Sequence, residues 1–239
     1  ICENCTLDSK KYAVVAVRKE VAYMMISHDL LKTQKTRKQH LRVTVELYAH
    51  ATELYNELNR IGIIGQLSNV PQLGAIRVEH KLEKSRYDYV VLQLYLHQLV
   101  RENLGKNLKF TYGSRIKSRE FGADGSRLEG IDEISVADIV QVLTLAYNMG
   151  HFYNTFVSSR AVIIMANTNE TFRQLLYNSS TDERFSRVLE TYLADPNYLR
   201  FHLLNSLLVL DKCNPDLYSV KLAREILYAY INENALEQN

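Results

Sequence analysis

The stretch Ser135–Phe152, SVADIVQVLTLAYNMGHF, decides how the chain is read. Val136, Ile139, Val140, Leu143 and Tyr147 recur at helical spacing and line one face. Ser135 stands three residues before Asp138, close to a capping box with Asp in the place of Glu or Gln. Gly150 ends the pattern, as a C-terminal cap or a helix break. The stretch thus predicts an apolar helix that delivers Asn148 and His151 at its end.

The same periodicity extends outward from there. Leu47, Ala51, Leu54 and Leu58 form one stripe. Leu82, Tyr89, Leu92, Leu96 and Leu99 form another, and Val220, Ala223, Leu227 and Tyr230 a further one. Three prolines and nine glycines in 239 residues leave little to break helices. Gly62 and Gly65 are expected to close one helix and Gly105 the next, while Asp195-Pro196 and Asn214-Pro215 read as helix starts. The glycines and charges of residues 112–130 read as a long loop. No six-residue stretch alternates cleanly between turn signals, so the strand content expected is a short hairpin in Lys109–Arg127 at most. The expected architecture is all-α: an N-terminal helical extension over residues 1–57 and a helical bundle over 58–239, packed as one unit.

Charge and composition narrow the function classes. The 29 basic and 27 acidic residues leave a net charge of +2, which disfavours a strongly electrostatic nucleic-acid binder. Lys32, Lys35, Arg37, Lys38 and Arg42, with the segment 112–127, keep a nucleic-acid-interacting helical domain as one alternative. The 46% apolar content is ordinary for a globular protein. The apolar runs Ala161–Ala166 and Leu207–Leu210 are too short to cross a membrane, so no membrane partner is expected. Cys2-x-x-Cys5 is half of a zinc knuckle with no second pair, and three cysteines make no disulfide framework. A reducing, cytoplasmic setting fits this usage. A chain that opens on Ile1 rather than Met reads as a piece of a longer protein.

Three segments carry candidate chemistry: Arg77-Val78-Glu79-His80 after the Pro71–Gly74 turn, Tyr147-Asn148-Met149-Gly150-His151, and Asp211-Lys212 after an apolar run. Arg77, Lys81, Lys84, Arg86 and Lys212 add positive charge that could surround a cavity. The tyrosines Tyr87, Tyr89 and Tyr95 read as core side chains with a polar tip.

Taken together, the three segments resemble the HD-domain phosphohydrolase superfamily, in its dNTP triphosphohydrolase-like branch. Arg77, Glu79 and His80 are similar to the first motif, Met149, Gly150 and His151 to the second, and Asp211 and Lys212 near Tyr218 to the last. The resemblance implies a helical bundle holding divalent metal and hydrolysing phosphate esters or anhydrides. It makes His80, Asn148 and Asp211 the metal-ligand positions. In an active enzyme, His151 would assist proton transfer while Arg77 or Lys212 held phosphate oxygens. Where the family has His-Asp, however, this chain has Tyr147-Asn148, and Phe156 stands where a further histidine often follows. A phenol with a reference pKa near ~10 is a poor ligand at neutral pH, and an amide oxygen lacks the carboxylate charge. The expectation is a catalytically impaired HD-like domain with a regulatory, ligand-sensing or assembly role. Its partners would be a nucleotide or phosphate ligand, another protein, or a second copy. The alternative is a metal-dependent phosphohydrolase using weakly bound Mg²⁺ or Mn²⁺. His28-Asp29 precedes the first motif and reads as surface or helix-end residues.

Overall fold

The computed structural model describes residues 13–18, 21–29, 42–71, 84–107, 134–194 and 200–236. These residues are mostly helical, as the periodicity predicts. Their first part is not. Strands β1 (Ala13–Arg18), β2 (Val21–Asp29) and β3 (Arg42–Leu47) form an antiparallel sheet in the order β1-β2-β3. Arg18 pairs with Val21, Asp29 with Arg42, and Met24 with Leu47. Where the expected N-terminal helical extension is described, residues 13–18, 21–29 and 42–47 are strand instead, and helix begins at Ala49. His28 and Asp29 lie within β2, not at a helix end.

The physical reason is visible in β3. Val43, Val45 and Leu47 are buried, while Thr44 and Glu46 between them are half-buried. That alternation, with branched residues on the inner face, suits a strand covered on one side. No turn residue separates β3 from the next helix. Leu47 also stands four residues before Ala51, in phase with the helical stripe, so the helical pattern absorbed it. Arg77, His80, the Lys109–Arg127 hairpin, Cys2, Cys5 and Lys32–Lys38 fall outside the described residues.

The helices are α1 (Ala49–Arg60), α2 (Ile63–Asn69), α3 (Arg86–Asn107), α4 (Val136–Asn148), α5 (Thr155–Thr168), α6 (Glu170–Tyr177), α7 (Glu183–Ala194), α8 (His202–Leu210) and α9 (Tyr218–Leu236). The central one is α4, which packs against α1, α3, α8 and α9. Nine of its 13 residues are buried, so it is enclosed nearly all round. The sheet rests on α1 and α3, and α5, α6 and α7 form a layer joined to the core through α8.

Polar groups on an enclosed helix must find partners. Ser135 caps α4 by accepting from the Asp138 N–H at 3.2 Å, as the spacing predicts. The Asp138 carboxylate in turn caps α1, which has no side-chain cap of its own. Its Oδ1 accepts from the Ala51 N–H at 2.9 Å and its Oδ2 from the His50 N–H at 3.1 Å, with His50 Nδ1 at 2.7 Å from Oδ2. Gln141, one turn on, accepts from the Tyr48 N–H at 2.9 Å and donates to the Glu46 carbonyl at 2.7 Å, fixing the passage from β3 into α1.

From α1 the pattern continues outward. Glu53 accepts from the Ser219 N–H in the first turn of α9, at 3.0 Å, and Glu57 accepts from the Asn214 N–H at 2.7 Å. Asn214-Pro215 therefore forms a turn rather than a helix start, and α9 begins at Tyr218. Gly62, at φ 83°, caps α1 before α2, while Gly65 lies inside α2 and α3 runs through Gly105.

Asp138→Ala leaves buried N–H groups without an acceptor, so it should lower the unfolding free energy by about 3 kcal/mol in chemical denaturation. The hydrogen bond to Asp138 is the main force raising the His50 pKa above its ordinary 6.5. The protonated His50 thus adds stability that is present below pH 6.5 and fades as pH rises through its folded pKa. In Asp138→Ala, an NMR titration should show the His50 midpoint falling back towards its ordinary value.

Candidate functional site

Beyond Asn148 the chain turns through Met149, Gly150 and His151, and α8 lies directly against that turn. A Cβ on Gly150 would stand 2.1 Å from the His202 carbonyl oxygen and 2.3 Å from the Ser206 nitrogen. The Gly150 N–H donates to Ser206 Oγ at 3.0 Å, and its carbonyl accepts from Asn205 Nδ2 at 2.8 Å. Among the described glycines only Gly62 has a positive φ. Gly150 follows the end of α4, as a cap or a helix break should, and what requires glycine there is the close approach of α8 to the turn.

The close approach assembles a buried polar cluster. His151 and His202 lie with ring centroids 4.1 Å apart at an interplanar angle of 38°. Tyr147 stands edge-on to His202 at 5.0 Å and to Tyr230 at 5.6 Å. Asn148 is sealed from water; its Nδ2 donates to Gln93 Oε1 at 2.9 Å and to the Thr144 carbonyl at 2.8 Å. His151 Nδ1 meets the Asn148 carbonyl at 3.1 Å. Arg86, in the first turn of α3, lies 5.4 Å from the centre of the Tyr89 ring.

Several atoms here have no partner: Asn148 Oδ1, both His202 ring nitrogens and Arg86 Nε, all buried. Leaving such groups unmade costs about 1–3 kcal/mol each. No carboxylate among the described residues pairs with Arg86. Burial is the main force lowering its pKa, opposed by the Tyr89 and Tyr147 hydroxyls. Burial first, and then the charges of Arg86 and Arg200, push His202 down to about 3. Burial, then His202 and Arg86, push His151 down to about 2. Burial raises the Tyr147 pKa above 10. At neutral pH the cluster therefore holds two uncharged imidazoles, an un-ionised phenol and a guanidinium with no carboxylate partner among the described residues.

Of the residues expected from the sequence, Asn148 and His151 come together here, and Arg86 joins them. Asp211 and Lys212 do not. They stand at the far end of α8, about 13 Å from His202 at ~1.5 Å rise per residue. The Asp211 carboxylate is partly exposed and held by Arg224 at 2.7 Å, on an open cleft of about 640 Å³ also lined by Ser180, Asp182, Lys221 and Glu225. Of the expected ligand set His80, Asn148 and Asp211, the structure holds Asp211 against Arg224 and away from Asn148, while His80 and Arg77 lie outside the described residues. Phe156 is 68% exposed on α5 and does not face the cluster. Tyr218 packs against His50 at 5.3 Å rather than beside Asp211.

Sequence reasoning missed His202, Asn205 and Ser206. Their signal was present in FHLLNSLLVL, where three polar residues at i, i+3 and i+4 mark one face of an otherwise apolar helix. Among the described residues no three His, Cys, Asp or Glu side chains converge. Among the described residues, a divalent cation placed at Asn148 would meet a guanidinium and neutral rings, without the carboxylates such an ion prefers.

Gly150→Ala sets a methyl group against the backbone of α8, which cannot swing aside as a side-chain tip can. It should cost about 3 kcal/mol of stability by denaturant titration, where a Gly→Ala change inside an ordinary helix is favourable. The depressed histidines carry their own signature. Between pH 6 and 4 the unfolded chain binds protons that the folded His151 and His202 refuse, so stability falls with falling pH by up to about 1.4 kcal/mol per pH unit for each. His202→Phe should flatten that slope in pH-dependent unfolding curves.

No family model matches this chain, and no curated protein or solved structure matches it.

Proposed function

We propose that this chain is an HD-like helical domain whose metal centre has been dismantled and whose buried cluster serves ligand sensing in a regulatory or assembly role. The observation that carries the reading is the cluster itself. Asn148 Oδ1, the His202 nitrogens and Arg86 Nε are enclosed without partners, beside a positive charge that no carboxylate among the described residues neutralises. Those atoms ask for a ligand that accepts from Arg86 and one imidazole nitrogen while donating to Asn148 and the other. A phosphate-bearing molecule with hydroxyl groups, such as a nucleotide, has that mixed character. Tyr147 and Tyr230 offer ring faces and edges beside it. The same donor set supports the view that Tyr147 and Asn148, in the positions of the family's His-Asp pair, no longer hold an ion.

Calorimetric titration with inorganic phosphate and with deoxynucleoside triphosphates, in the absence of divalent metal, tests this. Saturable binding is expected, weakened at least tenfold, or about 1.4 kcal/mol, in Arg86→Gln and in His202→Leu. A hydrolysis screen with Mn²⁺ should show no turnover. Turnover abolished by both His80→Ala and Asp211→Ala would establish the phosphohydrolase alternative instead.

A further inference from the structure

Most of the large apolar side chains of α5 face away from its own core. Its inward face consists of Ser159, Ile163 and Ala166, each at most 1% exposed. Its outward face carries larger groups: Phe156 is 68% exposed, Val157 71%, Ile164 49% and Met165 47%. Tyr153, just before the helix, is 61% exposed. At about 100° per residue, Phe156, Val157, Arg160, Ala161, Ile164 and Met165 fall within one half of the helical circumference. Arg160 is the one charged residue in the helix. Helices that are apolar all round are normally enclosed. Here α6 and α7 cover one side only.

We propose that the outward face of α5 is the seam of a two-fold dimer of this chain. With roughly 200 Å² for a large side chain, the exposed fractions amount to about 500 Å² of apolar surface. A two-fold contact buries that patch twice, about 1,000 Å², where specific interfaces begin. The sequence of the face is also self-complementary when two copies run antiparallel about an axis between Arg160 and Ala161. Val157 of one copy then meets Ile164 of the other along the middle of the seam, with Phe156 and Met165 on its flanks. The two copies of Ala161 come together on one edge of the seam, where their small side chains let the helices close, and the two Arg160 stems lie along the other edge with their charges in water. A two-fold axis requires one patch to supply both sides of the contact, and this one does. An acidic or basic partner would find one charge to engage.

Light scattering on the full chain tests the proposal. A dimer is expected at tens of micromolar. Val157→Glu should shift it to monomer, a loss of affinity of at least tenfold, with the helical circular-dichroism signal and melting temperature unchanged. Leu96→Glu, at a half-exposed leucine on α3, should leave the dimer intact. In a Cys2→Ser, Cys5→Ser background, Ala161→Cys should form an intermolecular disulfide on mild oxidation, since the axis brings the two copies of residue 161 together. A chain that stays monomeric to several hundred micromolar overturns the proposal, whatever else binds the face. So does a dimer that Val157→Glu leaves untouched and Ala161→Cys fails to cross-link. These outcomes do not depend on whether the buried cluster takes a ligand.

Discussion

The Asp138 carboxylate sits on the central helix, almost sealed from water, and both of its oxygens are used by α1: the N–H groups of His50 and Ala51 and the His50 ring all turn to it. A carboxylate so placed is costly to desolvate, and the charge-assisted bonds together with the positive end of α1 offset that cost. Because α1 has no cap of its own, its starting point is set by α4 and not by local sequence. Gln141 repeats the device one turn along by holding Tyr48 and Glu46. Then α1, so placed, uses Glu53 and Glu57 to receive the Ser219 and Asn214 N–H groups and sets where α9 begins. Since α9 packs back on α4, the dependencies close into a ring. The far end of α4, with Asn148 and His151, is positioned by that ring.

How much of this was legible follows from where each signal is local. The α4 helix was readable because its apolar stripe and its Ser135 cap lie within the helix itself. The placement of Asn148 and His151 at its end followed at once. The strand β3 was not, because Val43–Leu47 alternates for only five residues and runs without punctuation into a helical stripe that shares Leu47. Gly150 marks the end of α4 in the sequence, but its need for glycine is not local: a cap, a break and a close approach all suit glycine, and only the position of α8 distinguishes them. Asp211 was misplaced because a carboxylate after an apolar run looks the same whether it points into a cluster or meets Arg224 on a cleft. Long-range pairing decides that, and the local pattern does not record it.

The buried cluster and the outward face of α5 are linked by very little chain. His151 is packed on His202, and α5 starts four residues later at Thr155, with Tyr153 exposed between them. The turn that carries His151 is also the one gripped by Asn205 and Ser206 through Gly150. A ligand that satisfied Asn148, His202 and Arg86 would act on the anchored end of this turn, and a second copy packed on α5 would act on its free end. Each could bias the other only if the turn had two arrangements, and the clamp on Gly150 argues for one: a methyl-sized displacement towards α8 is already forbidden by backbone atoms. The physical expectation is therefore additive behaviour, in which ligand binding stabilises the fold by mass action and leaves the dimer affinity alone. Coupling would require the Gly150–Ser206 contact to open, and that step would leave the turn's buried backbone N–H and carbonyl without the partners α8 now supplies.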